Sequence, residues 1–142
     1  MGRILAIDYG LKRTGIAVTD TLQLIANGMD TLPTAGLFEF LSGYFVKEPV
    51  DKVVIGYPLQ MNNQPSEIVP HIDRFIVKFL KTFPGKDLVK FDERFTSKMA
   101  FQAMIDAGAT RTQRKNKALI DKVSATIILQ SYLESKSKNS QG

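Results

Sequence analysis

The sequence contains no cysteine among its 142 residues and has a single histidine. The absence of cysteine excludes a disulfide framework, a thiolate metal site and cysteine catalysis. No stretch approaches the roughly 18 consecutive apolar residues that a membrane-spanning helix needs. Asp8 interrupts the first apolar run too early for a secretory signal peptide. We therefore expect a cytoplasmic protein that has no membrane partner.

The chain also lacks a large excess of charge of one sign. Lys and Arg number 19 against 14 Asp and Glu, so the formal net charge is +5. This mild excess permits a polyanionic partner without requiring one. The length predicts one domain, which we place at residues 1–134. The small, polar segment 135–142 is expected to be a disordered tail.

Alternation of apolar runs with turn residues predicts an α/β fold. Five segments have the pattern of strands: residues 3–9, 15–20, 24–31, 53–56 and 88–91. Four have the apolar spacing of helices: residues 35–47, 67–83, 97–107 and 117–133. Short connections make the first three strands an antiparallel meander, whereas helical crossovers make the last two parallel. The expected fold is a five-stranded mixed sheet with helices on both faces.

Carboxylates follow two of the predicted strands directly. Asp8 ends the first strand, and Asp92 and Glu93 come after the strand LVKF. Both positions have ordinary structural explanations, since Asp8 can initiate a turn and either later acid can pair with Arg94. Ligands of α/β sheets bind beyond the carboxyl ends of the parallel strands, so both positions are also candidates for a site.

Asp121 interrupts the apolar face of the last predicted helix. Its spacing places it on the same face as Ala125, Ile128 and Tyr132. A carboxylate on such a face is costly unless a cation or hydrogen-bond donors meet it. Lys117, one turn earlier, is one candidate cation, and a metal ion is the other.

These acidic positions can converge on one metal site. Crowded carboxylates repel one another, and a divalent cation removes that repulsion. Oxygen ligands without cysteine favour Mg²⁺ or Mn²⁺ over zinc, and one or two such ions can promote phosphodiester hydrolysis. Lys12 and Arg13 follow Asp8 closely enough to hold phosphate beside the acids. Gly10 and Gly15, which flank this turn, permit a ligand to approach the main chain.

Four motifs, in this order and at these spacings, resemble the YqgF/RuvX family of the ribonuclease H-like superfamily. They are ILAIDYGLKRTGIAVTD, VVIGYPLQM, FDERFTSKMA and KNKALIDKVSATIILQSYL, and the resemblance covers about residues 3–134. The family is described both as Holliday-junction resolvases and as pre-16S rRNA processing nucleases. The resemblance implies a ribonuclease H-like fold and a metal-dependent nuclease acting on structured nucleic acid. Processing of the pre-16S rRNA 5′ end is the favoured reaction, and resolution of branched DNA junctions is the alternative.

The resemblance also implies roles for single residues. It assigns metal binding and catalysis to three acids: Asp8, Glu93 and Asp121. Asp92 is a weaker candidate than Glu93 for the second acid. It assigns substrate binding to four basic residues: Lys12, Arg13, Arg94 and Lys117.

Two other classes of function are open at this point. Sugar kinases and actin-like ATPases also begin with an aspartate–glycine hairpin, but they need a second domain to close over the nucleotide. A non-catalytic RNA- or ribosome-binding module would use the basic surface and leave the acids a structural role. A junction resolvase acts as a symmetric dimer, whereas an RNA-processing enzyme can be a monomer. The sequence shows no dimer surface.

The sequence has no basic ribbon with interleaved aromatic residues. Such a ribbon is typical of proteins that stack single-stranded bases. Four phenylalanines are instead predicted to lie in the core: Phe38, Phe45, Phe75 and Phe79. The single histidine, His71, is expected on the solvated side of its helix.

Most of the net positive charge lies in residues 109–122, which hold five basic residues and one acid. A solvated connection is the ordinary explanation, but the segment also lies between Glu93 and Asp121 along the chain. If Arg111 and Arg114 contact phosphates, their replacement by glutamate will weaken nucleic-acid binding and flatten its dependence on salt. Affinity measured at several salt concentrations tests this role, and unchanged values would contradict it.

Overall fold

The computed structural model of the chain describes residues 2–58, 67–92, 102, 105–108, 110 and 116–140. The strands in this part are β1 (Arg3–Asp8), β2 (Arg13–Thr19), β3 (Ala26–Pro33), β4 (Val50–Tyr57) and β5 (Asp87–Asp92). The longer helices are α1 (Leu37–Lys47), α2 (Val69–Thr82) and α3 (Lys117–Ser140). A short 3₁₀ turn at Thr34–Gly36 leads from β3 into α1.

The strands form one sheet in the order β3-β2-β1-β4-β5. β1 pairs antiparallel with β2, and β2 with β3, because short turns join them. β1 pairs parallel with β4, and β4 with β5, because α1 and α2 carry the chain back across the sheet. The predicted five-stranded mixed sheet is confirmed. The ends of β1, β4 and β5 and the start of β2 therefore share one border of the sheet, which we call the carboxyl edge.

Alternation along β1 divides the core into two clusters. Leu5 and Ile7 face α1 and α2, whereas Ile4 and Ala6 face α3. The first cluster contains the buried apolar residues of α1 and α2: Leu37, Leu41, Ile72, Phe75, Ile76 and Phe79. Phe38 and Phe45 pack against it with part of their surface exposed. The four phenylalanines thus lie in or against the core, as predicted.

Helix α3 covers the opposite face of the sheet. Its residues Ala125, Ile128 and Tyr132 are buried against that face, which confirms the predicted apolar stripe. Lys52 of β4 donates a hydrogen bond to the Tyr132 hydroxyl at 3.1 Å. This bond, with the nearby Asp87 carboxylate, raises the pKa of Lys52 against the opposing effect of desolvation. None of the helices in the described residues is long and apolar enough to cross a membrane.

The end of α3 and the exposure of one α2 residue differ from the prediction. α3 continues to Ser140 rather than ending near Leu133, so residues 135–140 of the expected tail are helical. Ser135, the first residue of this extension, donates to the Tyr132 carbonyl at 2.9 Å. Leu80, one of the apolar residues within the predicted helix 67–83, is 48% exposed. Most of the predicted helix 97–107 lies outside the described residues, but Gly108 has the φ of +80° expected of a helix-ending glycine.

Candidate functional site

Asp8 lies at the carboxyl edge, at the end of β1. The alternation that sends Ile4 and Ala6 towards α3 sends the Asp8 side chain to the same face of the sheet. Its side chain is half-buried. The next residue, Tyr9, packs instead against the cluster of α1 and α2. The carboxylate therefore emerges from the core on the α3 side.

Gly15 joins Asp8 to α3. The strand register places Gly15 of β2 directly opposite Asp8 of β1. A Cβ atom at Gly15 would overlap the backbone carbonyl of Asp121, so the helix backbone rests directly on the strand. A Cβ at Gly28 of β3 would likewise come within 2.8 Å of the Thr126 hydroxyl. Gly15 thus admits a helix rather than a ligand, and it brings Asp8 and Asp121 to the same point of the sheet.

Arg13 begins β2 at this edge and lies beside Asp121. Its Nε atom is 3.5 Å from Asp121 Oδ2, close enough for an ion pair but without hydrogen-bond geometry. The side chains remain 41% and 29% exposed, so the pair contributes about 1 kcal/mol or less to stability. A residue predicted to bind phosphate is therefore already in contact with an acid predicted to bind metal.

The turn between β1 and β2 is held by Thr34, which the sequence analysis did not single out. The Thr34 hydroxyl donates to the Gly10 carbonyl at 2.6 Å, and the Thr34 amide donates to the Lys12 carbonyl at 3.0 Å. The hydroxyls of Thr14 and Thr34 are 2.8 Å apart. These bonds fix the backbone of the turn while the Lys12 side chain stays exposed. No local pattern marks Thr34, because its partners lie 20 or more residues away.

Ser124 is a second residue that the sequence did not indicate. It lies one turn after Asp121, is fully buried, and its hydroxyl has no hydrogen-bond partner among the described residues. A serine alone in a helical segment does not indicate burial, so its identity carried no signal. Its burial places a polar group in the apolar contact between α3 and the sheet.

Several predicted site residues cannot be placed. Glu93, Arg94, Arg111 and Arg114 lie outside the described residues, as does the acid–arginine pairing considered for them. The side chains of Asp92 and Lys117 do so too, although their backbones end β5 and begin α3. The described part of the chain contains no cluster of three or more Asp, Glu or His residues able to hold a metal. Asp8 and Asp121 contribute two candidate oxygen ligands, a donor type that suits Mg²⁺ or Mn²⁺.

Comparison with known protein families gives one match over nearly the whole chain. The model of the RuvX family, described as Holliday junction resolvase, matches residues 2–135. A Flavobacterium johnsoniae relative named "Putative pre-16S rRNA nuclease" is 58% identical, with 96% of this chain and 99% of the relative covered. A relative of the same name from Bacteroides thetaiotaomicron is 57% identical, with the same coverage.

The structure also resembles a solved one. RuvC from T. thermophilus, determined in complex with a Holliday junction substrate, superposes with a TM-score of 0.56. The two sequences are 11% identical, and 96% of each chain is covered. At this identity the likeness concerns the fold alone, and it confirms the predicted ribonuclease H-like architecture.

Gly15→Ala tests the contact that joins the two acids. Because the added methyl group meets helix backbone, we expect the free energy of unfolding to fall by about 1–3 kcal/mol or more. The matched control is Gly43→Ala at an exposed position of α1, where a Cβ meets nothing within 4 Å. That change should instead stabilise the protein by about 0.5–1 kcal/mol. Urea unfolding measures both, and a Gly15→Ala variant as stable as the wild type would contradict direct contact.

Proposed function

The chain belongs to the RuvX family, and from this membership we propose that it is a metal-dependent nuclease. It hydrolyses phosphodiester bonds in structured nucleic acid, and its reaction is the processing of the pre-16S rRNA 5′ end. The observation that carries this proposal is the contact of β2 with α3 at Gly15, since Gly15 lies opposite Asp8, meets the Asp121 backbone and is two residues from Arg13, which pairs with Asp121. The shared name of the two relatives supports the choice of substrate.

Asp8, Asp121 and Glu93 are the residues we assign to metal binding and catalysis. The first two contribute carboxylate oxygens at the carboxyl edge, and Glu93 directly follows β5, which ends at that edge. Bound Mg²⁺ or Mn²⁺ would supply an activated water and a counter-charge for the leaving oxygen. The carboxylates would hold the ion in position. The half-buried position of Asp8 limits the water that competes for its oxygens.

The basic residues bind the phosphodiester backbone. Arg13 can exchange its contact with Asp121 for a substrate phosphate once a metal ion neutralises the carboxylate. Lys12 projects from the fixed turn beside it and can contact a neighbouring phosphate. We assign further backbone contacts to Arg94, Arg111, Arg114 and Lys117. These contacts position the substrate and carry no sequence information.

Resolution of Holliday junctions is the second candidate function. The description of the family as Holliday junction resolvase and the fold shared with RuvC favour it. It would require two copies of the chain to cut two strands, whereas rRNA processing can be carried out by a monomer. With rRNA as the substrate, the protein would act in the cytoplasm on ribosomal precursors.

Metal binding can be tested without any substrate. We expect Mn²⁺ titrated into the wild-type protein to give a saturable calorimetric signal, and Asp8→Asn and Asp121→Asn to weaken or abolish it. Asp87→Asn is the control, because Asp87 pairs with Lys52 at the opposite edge of the sheet. Equal binding by all four proteins would contradict the assignment of the acids.

Cleavage should be assayed on a precursor rRNA 5′ end and on a four-way DNA junction, each with and without Mg²⁺ or Mn²⁺. We expect metal-dependent cleavage of the RNA, and a loss of more than about 100-fold in Asp8→Asn, since even outer-shell metal partners contribute 10- to 100-fold. Binding should persist in Asp8→Asn, because that change removes a negative charge near phosphate.

Preferential cutting of the junction would favour the second candidate. Undiminished activity in Asp8→Asn would contradict the assigned chemistry, and a wild type that binds but never cuts would indicate a binding module.

A further inference from the structure

A pocket of about 440 Å³ lies on the other side of the β1 tip from Asp8. It opens between the β1–β2 turn, the start of α1 and the first half of α2. We call it the Tyr9 pocket and define it by six of its lining residues: Tyr9, Phe38, His71, Arg74, Phe75 and Lys78. Because α2 follows β4, the pocket borders the carboxyl edge.

Three aromatic rings form the apolar part of this pocket. The ring centroids of Tyr9 and Phe75 are 5.2 Å apart, as are those of Phe38 and Phe75. Phe75 is buried and belongs to the core, so it supports the other two rings from beneath. Tyr9 and Phe38 keep part of their surface exposed. A planar base can stack on such rings whatever its sequence.

Cationic side chains from α2 border the rings. Arg74 and Lys78 lie one helical turn apart and are both exposed. The Lys78 ammonium lies 4.4 Å from the Phe38 ring centroid, and Arg74 donates to His71 Nδ1 at 2.9 Å. Among the described residues, none of those that line the pocket is acidic. His71, which is partly exposed, is one of the lining residues.

The pocket and the acids lie on opposite sides of the same short turn. Asp8 and Tyr9 are consecutive residues whose side chains go to opposite faces of the sheet. Thr34, which fixes the turn by its bonds to Gly10 and Lys12, also lines the pocket. A nucleic-acid strand that passes over the exposed Lys12 would therefore run from one site to the other.

We propose that the Tyr9 pocket binds one unpaired nucleotide next to the scissile bond of the substrate. Its base stacks on Tyr9 and Phe38, and its phosphate pairs with Arg74 and Lys78. The base must be unpaired, because a base within a duplex cannot present its face to the rings. This inference rests on the proposed nuclease function and adds a requirement for single-stranded nucleic acid beside the cleavage point.

Lys78→Gln and Lys81→Gln form a matched test pair. Both lysines are exposed on α2 and each change removes one charge, but Lys81 does not line the pocket. The probe is a fluorescently labelled single-stranded RNA, measured by anisotropy without divalent metal so that it is not cut. We expect Lys78→Gln to raise Kd about fivefold and to reduce the salt slope by about 0.7, the loss of one phosphate contact. Lys81→Gln should change Kd less than about twofold, as expected of a charge without a direct contact.

Photocrosslinking tests the stacked base directly. The same RNA carrying 5-iodouridine should crosslink to Tyr9 or Phe38 when mapped by mass spectrometry, and an abasic site at the crosslinked position should weaken wild-type binding. Equal effects of Lys78→Gln and Lys81→Gln, or crosslinks confined to other residues, would overturn the pocket assignment. If the wild type cleaves RNA and Lys78→Gln binds it normally, the nuclease stands and the pocket proposal falls. If no substrate is cleaved but the lysine pair and the crosslinks behave as expected, the pocket stands and the nuclease proposal falls.

Discussion

The direct contact between the α3 backbone and Gly15 of β2 is the constraint on which the candidate site depends. Any side chain at Gly15 would hold the helix away from the strand. With glycine there, the Asp121 backbone contacts β2 at Gly15. The strand register places Asp8 of β1 opposite that same glycine. Residues far apart in the chain thus become neighbours through packing of the main chain. The arrangement does not rely on flexible side chains to reach across a gap.

Periodic patterns in the sequence predicted the sheet, its mixed topology and most of the core. They succeeded because burial on a strand or helix repeats over short distances: Ile4 and Ala6 separate cleanly from Leu5 and Ile7. The same logic placed Asp121 at the top of the α3 stripe. Leu80 shows the limit of such patterns, since the apolar spacing of α2 includes this residue although 48% of its surface is exposed. The end of α3 was missed because the polar residues 135–140 have no apolar periodicity from which a helix could be predicted.

The parts of the site that the sequence did not predict are those made by contacts between distant segments. Gly15 has the identity expected in a turn that receives a ligand, yet a helix occupies the space above it. Thr34 holds a turn that ends more than 20 residues before it. The exposed rings of the Tyr9 pocket come from the β1–β2 turn and α1, whereas its basic residues come from α2, so no single stretch contains both. The resemblance to a known family predicted the acids but did not predict this pocket.

The sheet separates the predicted acids, on its α3 face, from the Tyr9 pocket on its other face. The side chains on one face of β1 pack against α3, on the side of Asp8. Those on the other face pack against α2 and α1, on the side of Tyr9. Changes on the surface of α2 can therefore accumulate without moving the acids, because a rigid layer of paired backbone lies between them. Substitutions around the Tyr9 pocket and substitutions around the acids can therefore be selected separately in evolution, although Asp8 and Tyr9 are consecutive residues.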